Sequence, residues 1–211
     1  MRHILSTLIA VLVWAGGALA EDKAGEFDYY VMALSWSPNW CALEGDGRDS
    51  PQCDKPLGWV LHGLWPQYER GYPEYCRTSA RDPSKRQTAA MVDIMGSSGS
   101  AWYQWKKHGR CSGLSPEAYF EQAREAYDGV TRPATLRKLT APVTLPARLI
   151  EEAFLNENPG LFPDALTVTC RDNRIQEVRI CLDRDDLTPR RCGADVIRDC
   201  QAKSAIFDPI R

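Results

Sequence analysis

The chain of 211 residues has only three histidines. Nowhere do histidines and cysteines recur at the C-x-x-C or H-x-x-x-H spacings that hold a metal, so no metal site is expected. There is no surplus of charge either: 26 basic against 28 acidic residues give a net charge of −2. That balance argues against a protein that grips long nucleic acid by overall charge, although a cleft needs only a local concentration of it. Beyond the N-terminus no run is apolar enough to cross a membrane. The sequence also lacks an N-x-S/T acceptor site, an internal repeat, a low-complexity tract and a linker that would split it.

What is present begins with a basic start, an apolar run from Ile4 to Trp14 and the ending Ala18-Leu19-Ala20. This pattern predicts a secretory signal peptide over residues 1–20, with export to a periplasm or to the cell exterior. Residues 21–211 are then long enough for one domain with its own core. All eight cysteines, at 41, 53, 76, 111, 170, 181, 192 and 200, follow the signal. In an exported chain an even number reads as a disulfide framework, whose pairing the count leaves open.

The segment Phe27–Trp36 alternates as a half-buried strand, with Tyr30, Met32, Leu34 and Trp36 on one face. Gly58–Leu64 reads as a second strand ending near Trp65-Pro66, after a polar loop over 44–56. Residues 67–85 read as a loop, Gln87–Met95 as a helix, and Gly96–Ser100 as a flexible lead-in to a helix over Ala101–His108. Gly109 is expected to stop that helix in the left-handed conformation. Ser115 and Pro116 open another helix, with Tyr119, Phe120, Ala123, Ala126 and Tyr127 as its apolar face. Thr144–Asn156 is a third, burying Leu149, Ile150, Ala153 and Phe154. Leu166–Arg171 and Arg174–Leu182 flank Asp172-Asn173 as a hairpin. The mixture predicts an α+β fold: a largely antiparallel β-sheet flanked by helices in one disulfide-stabilised domain.

Helix spacing puts Gln104, Lys107 and His108 on a common face, while Trp102 and Trp105 offer an apolar stripe. The two histidines beyond the signal, His62 and His108, each sit in an aromatic-rich segment. Paired imidazoles suit general acid–base chemistry, because the free group titrates near pH 6.5. Two separate hydrogen-bonded core histidines are the alternative, and neither segment decides between them.

The two segments together do. Leu61-His62-Gly63-Leu64-Trp65-Pro66 and Trp105-Lys106-Lys107-His108-Gly109-Arg110-Cys111 resemble the two active-site motifs of the ribonuclease T2 family. The strand before Pro38 and Cys41, and Cys181-Leu182-Asp183 followed by Pro189 and Cys192, resemble other parts of the family in the same order. The resemblance implies a metal-independent endoribonuclease of low base specificity that needs no cofactor. It cuts single-stranded RNA by transphosphorylation to a 2′,3′-cyclic phosphate. His108 would be the base, His62 the acid, and Lys107 the stabiliser of the phosphorane. Lys107 should also depress the pKa of its neighbour His108.

The family's usual glutamate falls at Gln104, and the histidine commonly before it at Tyr103. An amide can still donate a hydrogen bond to phosphate, so Gln104 is expected to keep a stabilising role. The alternative is an RNA-binding or signalling protein on the same scaffold, with catalysis attenuated by Gln104. Trp65 matches a base-stacking tryptophan of the family, and Gln67 stands where an aspartate is often found. Tyr68 and Tyr72 are further stacking candidates. The resemblance also implies the pairs Cys41–Cys53, Cys76–Cys111, Cys170–Cys200 and Cys181–Cys192. RNA is the expected partner of a monomer, with no DNA cleavage and no membrane.

Overall fold

The structure, a computed structural model, describes residues 22–211; the expected signal peptide over 1–20 lies outside the described residues. Strands β1 (Tyr29–Trp36), β2 (Trp59–Gln67), β3 (Val143–Leu145), β4 (Leu166–Arg171), β5 (Arg174–Asp183) and β6 (Ala205–Phe207) make one sheet. Its order is β2-β1-β5-β6-β3, with β4 pairing β5 off that path. The pairings are antiparallel except for the β5–β6 contact. The helices are α1 (Ser37–Trp40), α2 (Lys85–Ala89), α3 (Val92–Met95), α4 (Ser98–Lys107), α5 (Pro116–Asp128) and α6 (Arg148–Glu157). The fold is the expected α+β domain, and four disulfides join Cys41–Cys53, Cys76–Cys111, Cys170–Cys200 and Cys181–Cys192.

The expected face of β1 is realised, with Tyr30, Met32, Leu34 and Trp36 in the main core, but the strand is buried on both faces and not half-buried. Ile175, Val178, Ile180 and Leu182 of β5 join them, with Trp105 of α4 and the Tyr119, Phe120, Ala123 and Ala126 face of α5. The opposite face of the sheet carries a smaller cluster around Tyr29, Val31, Cys181 and Cys192. Asp172 and Asn173 both adopt positive φ, 49° and 58°, the conformation of a two-residue hairpin turn.

Several expectations are corrected. The presumed lead-in is the first turn of α4, with Ser97 capping it through a hydrogen bond from Ser100 N. Trp102 is 37% exposed whereas Trp105 is fully buried, so the stripe has one indole. Gly109 does not take positive φ; the chain tightens into a 3-10 turn over Gly109–Ser112, and Gly113 is the left-handed residue at φ 78°. A Cβ on Gly109 would lie 2.7 Å from Trp105 and 2.8 Å from Tyr119, so packing requires that glycine. The helix expected over Gln87–Met95 is split into α2 and α3. Thr144 belongs to β3, and Pro146 separates this strand from α6. Leu149 is 41% exposed and Ala153 only partly buried, because Ile150 and Phe154, four residues apart, define the buried stripe. The loop expected over 44–56 opens with helical turns: α1 runs into a π-helical turn over Cys41–Gly45 and a 3-10 turn over Asp46–Arg48.

On α6, burial raises Glu151 to about 7, reinforced by the Asp199 carboxyl to which it is hydrogen-bonded. A proton is thus bound more tightly in the folded chain. The associated stability is intact below the unfolded value near 4.5 and is lost as pH rises through 7. Glu151→Gln should therefore gain a few degrees in melting temperature over the wild type at pH 8 and little at pH 5. Melting curves at the two pH values test this.

Candidate active site

The site is made on the sheet face opposite the main core. β1 and β2 pair Ala33 with Gly63 and then Leu34 with Leu61, so His62 has no partner and forms a bulge. A bulge reverses the alternation beyond it. Leu61 and Leu64 both enter the core as a result, while His62 and Trp65 share the other face with ring centroids 5.1 Å apart. Bulges of this kind re-aim side chains beside functional sites.

From α4, Gln104 and His108 are buried and Lys107 is half-buried. The Trp65 ring stacks on His108 with centroids 5.2 Å apart, and its indole N–H donates to Gln104 Oε1 at 2.7 Å. Gly63 permits this approach, since a Cβ there would lie 2.2 Å from Trp65 Nε1 and 2.5 Å from Gln104 Oε1. α4 is held in place by Trp105 Nε1 donating to Asp82, and the Trp105 ring packs edge-on against Tyr119 of α5, which itself donates to Leu64 O on β2. The Cys76–Cys111 disulfide and the bond from Tyr75 N to Lys107 O draw the loop after β2 over the end of α4. Glu74 thereby reaches Lys107 at 3.3 Å, and Tyr72 lies under the ammonium, 5.9 Å from its ring centroid.

Burial lowers His108 to about 3, with Lys107 and then His62 adding to the effect. Lys107 acts in the expected direction but is the second cause. Burial also disfavours the Lys107 ammonium, but Glu74 outweighs it and raises the group. His62 Nδ1 lies 2.5 Å from Glu177 Oε1. The guanidinium of Arg179 donates to the other oxygen of Glu177 at 2.9 and 2.8 Å. Burial would push this carboxyl up, but His62 and Arg179 prevail and hold it at about 2.

Two cavities meet at His62, Tyr103 and Gln104. One, of about 380 Å³, is lined by Trp65, Gln67, Tyr72, Lys107, His108 and Arg179 among others. The second, of about 580 Å³, is bounded by Ser35, Trp40, Gln52, Gln176 and Glu177 among others. Of the sequence candidates, His62, His108, Lys107, Gln104, Trp65, Gln67 and Tyr72 are brought together. Tyr68 is not: its hydroxyl donates to Asp22 and its ring packs on the main core. Sequence reasoning missed Glu177, Arg179 and Asp195. Glu177 and Arg179 are a charged pair at alternate positions of β5, a pattern any solvated strand face shows, and Asp195 is in a loop with no periodicity.

A bulged histidine, a second buried histidine, a lysine and a half-exposed aromatic group thus surround one open cleft. The Ribonuclease T2 family model matches residues 27–192, and the chain belongs to that family. A ribonuclease of Aeromonas hydrophila is 43% identical over 202 residues, covering 93% of this chain and 91% of that protein. Among solved structures, ribonuclease MC1 from bitter gourd seeds superposes with TM-score 0.63 at 21% identity, covering 86% of this chain and all of that one. RNase NT in complex with 5′-AMP gives 0.62 at 20% identity, covering 87% and 98%.

Proposed function

We propose that the protein is a metal-independent endoribonuclease that cleaves single-stranded RNA with low base specificity through a 2′,3′-cyclic phosphate. The observation that carries this reading is the convergence of His62, His108 and Lys107 on one cleft. His108, kept neutral by burial, takes the proton of the ribose 2′-hydroxyl, whose oxygen then attacks the adjacent phosphorus. His62 gives a proton to the departing 5′-oxygen. Its Nδ1 is occupied by Glu177, so Nε2 is the nitrogen available for that transfer. Lys107 meets the negative charge that develops on the phosphorane, and the Gln104 amide adds a hydrogen bond.

The two cavities on either side of His62 accommodate the nucleosides flanking the scissile phosphate. In the smaller one Tyr72, 48% exposed, offers a stacking face. Trp65 has one face against His108 and so both orients the base and borders the nucleobase site. Gln67 in the same cavity has its Oε1 buried without a hydrogen-bond partner among the described residues. Stacking tolerates any base, which supports low specificity. The expected setting is secretion or a periplasm, with the chain working as a monomer.

The test is incubation of a short labelled RNA and its DNA copy with the protein in EDTA. Cleavage of RNA alone is expected; loss of cleavage on chelation would defeat the metal-independent reading. Lys107→Met should lower kcat by roughly 10²–10³-fold, the usual effect of losing one transition-state donor. Removing its charge raises His108, so the acidic limb of the pH–rate profile moves to higher pH. That movement should be small because burial is the larger cause. A pH series on the variant measures both effects.

A further inference from the structure

In this chain an amide stands at position 104, where the family's motif has a carboxylate. Gln104 Oε1 is moreover engaged with the Trp65 indole. The cleft nevertheless contains a buried carboxylate. Glu177 projects from β5, and the strand between it and β2 is β1. Glu177 is opposite Ser35 in the β5–β1 register, and Arg179 is opposite Ala33. The small side chains of Ser35 and Ala33 leave room above β1 for long side chains from the two outer strands to meet. The bulge at His62 turns the imidazole toward that space, and the result is the 2.5 Å contact between Nδ1 and Glu177 Oε1.

The Glu177 side chain is only 3% exposed. Its other oxygen is held by Arg179, and Ser35 Oγ lies 3.5 Å from Oε1. A buried carboxylate fixed on both oxygens dictates which imidazole nitrogen it binds and leaves the other free to face the cleft. We infer that Glu177 is a positioning residue for His62, supplying from β5 the carboxylate that position 104 lacks. It orients Nε2 toward the departing oxygen, while Arg179 keeps the carboxylate in place. The other charged and titratable groups lining the two cavities that meet here are Arg179 from β5, Tyr103, Lys107 and His108 from α4 and its end, Tyr72 from the loop after β2, Glu44 and Arg48 from the turns after α1, and Asp195 from the loop after β5.

This inference rests on the reading of His62 as the acid, and the experiment separates the two. RNA cleavage is followed from pH 4 to 8 for the wild type, Glu177→Gln, His62→Ala and the double variant, with melting curves confirming folded protein. Glu177→Gln should lose roughly 10²-fold in kcat with KM little changed, by analogy with other carboxylates that orient a catalytic imidazole. In the His62→Ala background the same substitution should cost almost nothing, because Glu177 acts through the missing ring. Wild-type rates in Glu177→Gln beside an impaired His62→Ala would overturn the inference alone. So would an equal loss in the two backgrounds, the mark of a merely structural ion pair. An unimpaired His62→Ala would instead defeat the acid assignment itself.

Discussion

His108→Ala and His62→Ala are each expected to lower kcat/KM on a short RNA by roughly 10²–10⁴-fold, the usual contribution of a positioned acid or base. The two losses should not add, because both groups serve one proton-coupled displacement. His108 is buried against Trp65 and held neutral, and it is next to Lys107, the proposed stabiliser of the phosphorane. No other histidine among the described residues can substitute for either ring. RNA binding, measured by anisotropy with a non-cleavable 2′-deoxy analogue, should survive in both variants, since Tyr72 and Lys107 remain. Full activity in either variant would contradict the acid–base reading. A wild type that bound RNA and never cut it would favour the attenuated, RNA-binding alternative raised by Gln104.

Replacing Cys76 and Cys111 together by alanine should be the most damaging change to stability. The bridge closes a loop across 35 positions, for which chain entropy gives roughly 3–4 kcal/mol. In a domain of this size that corresponds to a fall in melting temperature on the order of 10 °C. Below the new transition kcat should be nearly preserved, because β2 and α4 keep His62, His108 and Gln104 in place through Tyr119 and Trp105. KM should rise, since the loop carrying Tyr72 and Glu74 is then held to the end of α4 by the Tyr75–Lys107 backbone bond and the weaker Glu74 and Tyr72 contacts with Lys107. A large drop in kcat with KM unchanged would show that the bridge shapes the reacting groups directly.

The face of β1, the cap and apolar stripe of α5, the hairpin at Asp172-Asn173 and the cluster on α4 were all legible in the sequence. Each depends on local periodicity or on a residue with one conformational use. What was illegible depends on tertiary register. The bulge at His62 is a mismatch between two strands, and β2 alone carries no sign of it. Without it, His62 and Trp65 would sit on opposite faces. Glu177 looks like any polar residue of a half-buried strand until β1 is placed between it and His62. Gly109 was read through its backbone freedom, whereas the reason for it is the space taken by Trp105 and Tyr119. The short strands β3 and β6 have three residues each, too few to produce a pattern.

The most direct measurement uses an oligodeoxynucleotide carrying a single ribose, incubated with the protein in EDTA and analysed by mass spectrometry. The account predicts one cut, on the 3′ side of that ribose, leaving a 2′,3′-cyclic phosphate on one fragment and a free 5′-hydroxyl on the other. Fragments ending in 5′-phosphate, or cutting at the deoxy positions, would mean that the nucleophile is not the 2′-hydroxyl and would contradict it.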